Sequence, residues 1–184
     1  MLRLLAMEEI QALEGGVPEL VRLYERKESN FATAVKDWLR QAEQLLTNSR
    51  LPGAGEVAGL RGMLISAEQG VIPDNLHFKG AVSLRRIRNA TAAEVLRKAE
   101  RRLGEVIAPT VAQVAEADRL VRQMLPVARR KGLAPLMEMP GSADQLVALW
   151  RALESDADLG AIATHVVGLV GKQDALIVLD RCLV

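Results

Sequence analysis

The sequence predicts an all-α fold, and three observations carry that expectation. Leucine and alanine supply 28 and 26 of the 184 residues, whereas threonine, isoleucine and the aromatics number only 5, 7 and 5, a usage that follows helix propensity and opposes strand propensity. Apolar side chains recur at three- and four-residue steps in nearly every stretch between breakers. Helix-start spellings stand where those stretches begin. The expected architecture is an irregular bundle of about seven to nine helices around a central antiparallel helical hairpin. We read it as one all-α domain over 1–184, with the region 131–141, rich in glycine and proline, as the place for a sub-boundary.

Leu2, Leu5, Ile10 and Leu13 set a first helix, which Gly15-Gly16 interrupts. Pro18 then restarts the chain as a second helix, with proline at an N-terminal position where its missing N–H costs nothing. From Phe31 onward Val35, Trp38, Leu39, Ala42, Leu45 and Leu46 share a stripe while Lys36, Asp37, Arg40 and Glu43 lie off it, the clearest amphipathic pattern in the chain. The breaker run Leu51-Pro52-Gly53-Ala54-Gly55 is followed by another helix carrying Val57, Leu60, Leu64 and Ala67 up to Gly70. Residues 71–80 have no helical period, and their apolar pairs predict a packed connector.

A short helix is expected over 81–88. Thr91-Ala92-Ala93-Glu94 spells a capping box, in which hydroxyl and carboxylate satisfy two backbone donors reciprocally. The helix it opens, with Val95, Leu96, Ala99, Leu103, Val106 and Ile107 on one side, is expected to end at Pro109. Thr110-Val111-Ala112-Gln113 repeats the signal, so the segment 91–128 reads as the hairpin, with Pro126 kinking or ending its second arm. Ser142-Ala143-Asp144-Gln145 is a third capping box, and the helix after it carries Leu146, Val147, Leu149, Trp150 and Leu153. Beyond Asp158 the chain is apolar nearly all round, as in a helix buried centrally or against a partner, and 176–179 suit either helix or strand. Trp38 and Trp150 lie on apolar stripes and are expected as core anchors with their indole nitrogens near an edge.

A net charge of +1 conceals a segregation. Residues 79–131 hold 13 basic and 5 acidic side chains (+8), residues 1–78 hold 8 and 11 (−3), and residues 132–184 hold 3 and 7 (−4). The cations gather at Arg85, Arg86 and Arg88, at Arg97, Lys98, Arg101 and Arg102, and at Arg129, Arg130 and Lys131. These side chains line the face opposite the Leu96–Leu103 stripe, where arginine forks suit phosphate or carboxylate oxygens. The competing expectation is an ordinary solvated surface, with Glu94 paired to Lys98, Glu105 to Arg101 or Arg102, Glu116 to Arg119 and Asp118 to Arg122. Arg85, Arg86 and Arg88 have no acid near them in sequence, which makes them the first candidates for binding. A helix-turn-helix drawn with 81–88 and Thr91 would put Ala92, Ala93 and Glu94 where base-reading side chains belong.

Little else points to chemistry. Cys182 has no local base, His77 and His165 lie 88 residues apart, and Asp74 to His77 reads better as a capped turn than as metal ligands. The glycines at 53, 55 and 59 and the Gly168–Lys172 run lack the spacing and residues of phosphate-binding loops. Asp156 and Asp158 read as a helix cap. No catalytic residue, metal or cofactor is singled out, so a small-ligand enzyme is the third reading, one that a polar pocket joining His77 or His165 to acidic residues would revive. The sequence instead predicts a non-enzymatic helical interaction or regulatory module whose partner is another protein or a second copy of itself, using 91–128 or the apolar C-terminal helices. The alternative is a nucleic-acid-associated protein that holds backbone phosphates with Arg85, Arg86, Arg88, Arg97, Lys98, Arg101 and Arg102. The lone cysteine, the absence of a long apolar span and the early Glu8-Glu9 pair predict a cytoplasmic protein with no membrane segment.

Overall fold

The structure, a computed structural model, describes residues 4–74, 76–78, 81–133 and 143–183. Among these residues helices dominate and no strand occurs, so the all-α bundle is the observed fold. The helices are α1 (Leu4–Glu14), α2 (Val17–Glu25), α3 (Phe31–Asn48), α4 (Ala54–Glu68), α5 (Leu84–Ala128), α6 (Ala143–Ser155), α7 (Gly160–Val170) and α8 (Lys172–Leu183). The ambiguous residues 176–179 belong to α8. The chain groups into two compact units, residues 4–108 and 109–183. Residues 134–141 of the glycine- and proline-rich region 131–141, and the third capping hydroxyl at Ser142, lie outside the described residues.

In the first unit α3 is the organiser. Phe31, Ala32, Val35, Trp38, Leu39, Ala42 and Leu46 are buried, the stripe its spacing predicts, and α1, α2 and α4 all pack on it. Each fully buried Phe or Leu there removes enough apolar surface from water to contribute roughly 1.5–3 kcal/mol. The Trp38 indole N–H donates to the Leu13 carbonyl at 2.9 Å, which satisfies one of the open acceptors at the end of α1. Lys36 to Glu68 and Arg61 to Glu43, each at 2.8 Å, join α3 and α4 along their rims. The connector after α4 differs from expectation: Val71 and Ile72 are 55% and 42% exposed, and helix resumes only at Leu84.

The expected hairpin over 91–128 is replaced by one continuous helix, α5, which takes in both Pro109 and Pro126. Proline removes one helical hydrogen bond at a cost of about 3 kcal/mol, but both rings are exposed, so water can reach the freed carbonyls. The apolar stripe also stays in phase across the break: Leu103 and Ile107 before Pro109, then Ala117, Val121, Met124 and Ala128 after it, are all buried. The two internal capping boxes are overturned for the same reason. Ile87, Thr91, Val95, Ala99, Leu103 and Ile107 form an unbroken i+4 row of buried side chains, so Thr91 is a core residue, and its Oγ1 has no hydrogen-bond partner. With 81–88 and 91 onward in one helix, the helix-turn-helix drawing has no turn.

In the second unit α6, α7 and α8 pack on one another and bury Leu149, Trp150, Leu153, Ala163, Val166, Val170, Val178 and Leu179. Trp150 is fully buried, and its indole N–H donates to Glu154 at 2.8 Å. After α5 the chain wraps through a single wide turn, Arg129–Leu133, closed by Gly132 at φ +85°, a left-handed position that glycine takes without a Cβ clash. Lys131 in this turn reaches Asp156 at 2.7 Å and also pairs with Asp158. Asp156 in turn accepts the N–H groups of Asp158 and Leu159 at 2.9 and 3.1 Å, the capping role expected of this carboxylate pair. Gly160 follows at a close approach: a Cβ there would lie 2.6 Å from the Glu154 carbonyl oxygen.

Two outcomes test this unit. Gly160→Ala should destabilise the protein by about 1–3 kcal/mol in urea melts, the usual penalty for forcing an atom into filled space. Lys131, held by Asp156 and then Asp158, has a raised pKa, while the Lys131 ammonium and the backbone donors of Asp158 and Leu159 depress Asp156 below its usual 3.8. The Asp156 contribution is therefore full above the ordinary carboxylate range and lost as pH falls through its depressed value. The Lys131 contribution is full below the ordinary lysine range and lost as pH rises past its raised value. Lys131→Met should thus lower stability at neutral pH, with the difference from the parent chain closing as Asp156 is protonated below the ordinary carboxylate range.

Candidate anion-binding groove

The seven basic residues singled out by sequence do not behave as one strip. Arg97 donates to Glu94 at 3.0 Å, and Lys98 reaches the same carboxylate at 3.3 Å. This pairing, Arg97 first, holds the Glu94 carboxyl below its usual value. Arg102 pairs with Glu56 at 2.8 Å, from the first turn of α4, and with Glu105 at 3.5 Å. Further along α5, Arg119 pairs with Glu116 and Arg122 with Asp118, as the solvated-surface reading expects. Arg101 is exposed and has no carboxylate partner among the described residues. The middle of the basic block is therefore largely neutralised by carboxylates of the same chain.

Arg85, Arg86 and Arg88, in the first two turns of α5, are engaged differently. Arg85 donates to the Lys27 carbonyl, and Arg88 to the Ser29 carbonyl at 3.3 Å. These acceptors sit where α2 ends: Lys27 is left-handed at φ +57°, its N–H bonds to the Tyr24 carbonyl at 3.0 Å, and the Glu28 N–H bonds to the Leu23 carbonyl at 2.9 Å. That is the six-to-one and five-to-two pattern of a Schellman end, and cations belong beside it because the last carbonyls of a helix carry partial negative charge. Arg86 lies over the Phe78 ring, 5.7 Å from its centroid, a cation–π geometry.

Around these side chains runs a groove of about 690 Å³, framed by Tyr24, Lys27, His77, Phe78, Arg85 and Arg86, with Ser83, Asn89 and Ala90 completing its lining. Among the described residues no acidic side chain lines it. The groove thus gathers three cations and an imidazole from three separate stretches: the end of α2, the connector, and the start of α5. Sequence spacing found Arg85, Arg86 and Arg88, but Lys27 and Tyr24 carried no local signal. They reach the groove only because α2 and α5 lie side by side. The Tyr24 ring is itself held by Phe31, centroid to centroid 5.1 Å at 56°.

The remaining titratable side chains singled out by sequence lie apart from this groove among the described residues, His77 excepted. No cluster of three metal-ligating side chains occurs. His165 is exposed on α7, where it acts electrostatically on Glu116. Cys182 donates its thiol hydrogen to Asp118 at 3.3 Å. Burial first, and the Asp118 carboxylate second, push the thiol up to about 11. No single helix among the described residues is long and apolar enough to cross a membrane. No protein-family model, curated protein or solved structure matches this chain.

The Cys182 environment has a measurable consequence. At pH 8 the folded chain should react with an aromatic disulfide reagent roughly a hundredfold more slowly than the urea-unfolded chain, because thiolate fraction sets the rate and the folded thiol ionises about two units higher. Equal rates would show a thiolate available in the native state.

Proposed function

We propose that this chain is a non-enzymatic interaction module whose docking surface is the cationic groove of Tyr24, Lys27, His77, Phe78, Arg85 and Arg86, and that its partner is an acidic segment of another protein. The observation that carries this reading is the uneven fate of the basic block. Arg97, Lys98 and Arg102 are matched by carboxylates of the chain itself, whereas the groove collects Lys27, Arg85 and Arg86 with no acidic residue in its described lining. Exposed cations that meet no acidic residue among the described lining favour a partner that brings the counter-charge.

The shape of the basic surface supports a protein over nucleic acid. Sequence-independent binding to a phosphate backbone draws on many cations spaced along a track, commonly six to ten contacts. Here Arg97, Lys98 and Arg102 already meet the chain's own acids, and Arg101 alone among the four cations at 97–102 has no carboxylate partner among the described residues. Stacking on an unpaired base needs an open aromatic face, yet Phe78 already carries Arg86 and Tyr24 contacts Phe31. Self-association through the C-terminal helices has less to draw on, because every large apolar side chain exposed among the described residues lies between Leu5 and Leu84.

Fluorescence anisotropy with a labelled octaglutamate peptide tests the reading. Binding should weaken by about tenfold or more as salt rises from about 0.05 to 0.5 M, since screening acts on rim charges. It should also be lost in the double variant Lys27→Glu with Arg86→Glu. A labelled dodecathymidylate serves as the rival probe. Absence of peptide binding, indifference to the double reversal, or tighter binding of the oligonucleotide would each overturn the assignment.

A further inference from the structure

A second hollow adjoins the cationic groove and shares Tyr24 with it. This cleft, of about 200 Å³, lies between α2 and α5 and is walled by Val17, Val21, Tyr24, Phe31, Ala93 and Leu96. Val21 and Tyr24 are 42% and 47% exposed, so the cleft presents apolar surface to water at its mouth. Arg97 and Glu100 stand at its rim, and Arg97 is already held by Glu94. One tyrosine thus separates a hollow that lacks negative charge from a hollow that lacks an apolar filling. Contiguous exposed apolar surface beside a charged patch is the arrangement of a binding surface with an anchor pocket and a polar rim.

We infer that the two hollows form one recognition surface for an extended acidic protein segment carrying a bulky aliphatic side chain next to its run of carboxylates. The carboxylates lie along Lys27, Arg85 and Arg86, and the aliphatic side chain enters the Val17–Val21–Leu96 cleft across Tyr24. This rests on the groove reading above and adds to it the anchor that supplies specificity. The charge complementarity of the first hollow selects an acidic segment, and continuity through Tyr24 places the anchor within a residue or two of it. The small volume of the cleft suits one side chain of a strand-like segment and does not suit a whole helix face. Charge at the groove sets approach and orientation, while burial of the anchor sets how long the complex lasts.

Two labelled peptides separate the parts: Leu-Gly-Glu-Glu-Glu-Glu-Gly-Leu, which offers an anchor in either chain direction, and the same peptide with serine in place of each leucine. At about 0.15 M salt the leucine peptide should bind about tenfold more tightly, the effect of removing one aliphatic side chain from water. Val21→Asn, which puts an uncharged polar group at the mouth, and Ala93→Met, which fills the floor, should each erase that difference while leaving the serine peptide unaffected. Lys27→Glu with Arg86→Glu should abolish binding of both. Equal affinity for the two peptides, both lost in the charge-reversed variant, would overturn the anchor and leave the groove standing. No binding of either peptide by the parent chain would overturn the groove and the anchor together.

Discussion

The buried i+4 row of α5, Ile87–Thr91–Val95–Ala99–Leu103–Ile107, is the constraint on which the first unit depends. A row with that spacing runs nearly along one face of a helix, so once it is buried the orientation of every other side chain on α5 is set. It places Arg102 beside the start of α4 and Gly104 near Glu14 of α1. It also sets Ala93 and Leu96 facing α2, and Arg85 at the Lys27 carbonyl just past the end of α2. Burying Thr91 without a partner for its hydroxyl costs about 1–3 kcal/mol, and that cost is accepted because threonine occupies the one row that cannot be interrupted.

The same constraint divides the basic block. A helix that buries one row offers its cations to whatever lies on either flank, and the flanks here are not alike. On the α4 side stands Glu56, an acidic residue in a first helical turn where negative charge is favourable, and Arg102 reaches it. On the α2 side stands a helix C-terminus, whose carbonyls accept hydrogen bonds yet bring no full negative charge. Arg85 is thereby ordered without being neutralised. The position of this positive charge depends as much on the left-handed end of α2 at Lys27 as on the arginines themselves.

In the second unit, the wide turn after α5 and the start of α7 are joined by one lysine and two aspartates, with Gly160 admitting the close approach of the Glu154 carbonyl. These interactions are local in space and separated by about 25 residues in sequence, which is why composition alone reads Asp156 and Asp158 as a cap and says nothing of Lys131. Cys182 illustrates the same gap. Its thiol is held protonated by burial and by Asp118, a residue 64 positions away.

What the amino-acid order determined by itself was helicity, the buried stripe of α3, the anchoring tryptophans, and the Glu116–Arg119 and Asp118–Arg122 pairs. All of these depend on interactions within a few residues or on a repeat that a reader can count. Where two local signals competed, the wrong one was the easier to see: the capping spellings at Thr91 and Thr110 and the break at Pro109 each argue for a boundary, yet the phase of the apolar stripe runs through all three. Burial over many turns outweighs one missing hydrogen bond, so the longer-range period prevailed. Which arginines are neutralised, and the meeting of Tyr24 and Lys27 with Phe78, Arg85 and Arg86, were decided only by tertiary structure. Those contacts join side chains some sixty positions apart, and no periodicity along a chain encodes which helix end will lie beside which.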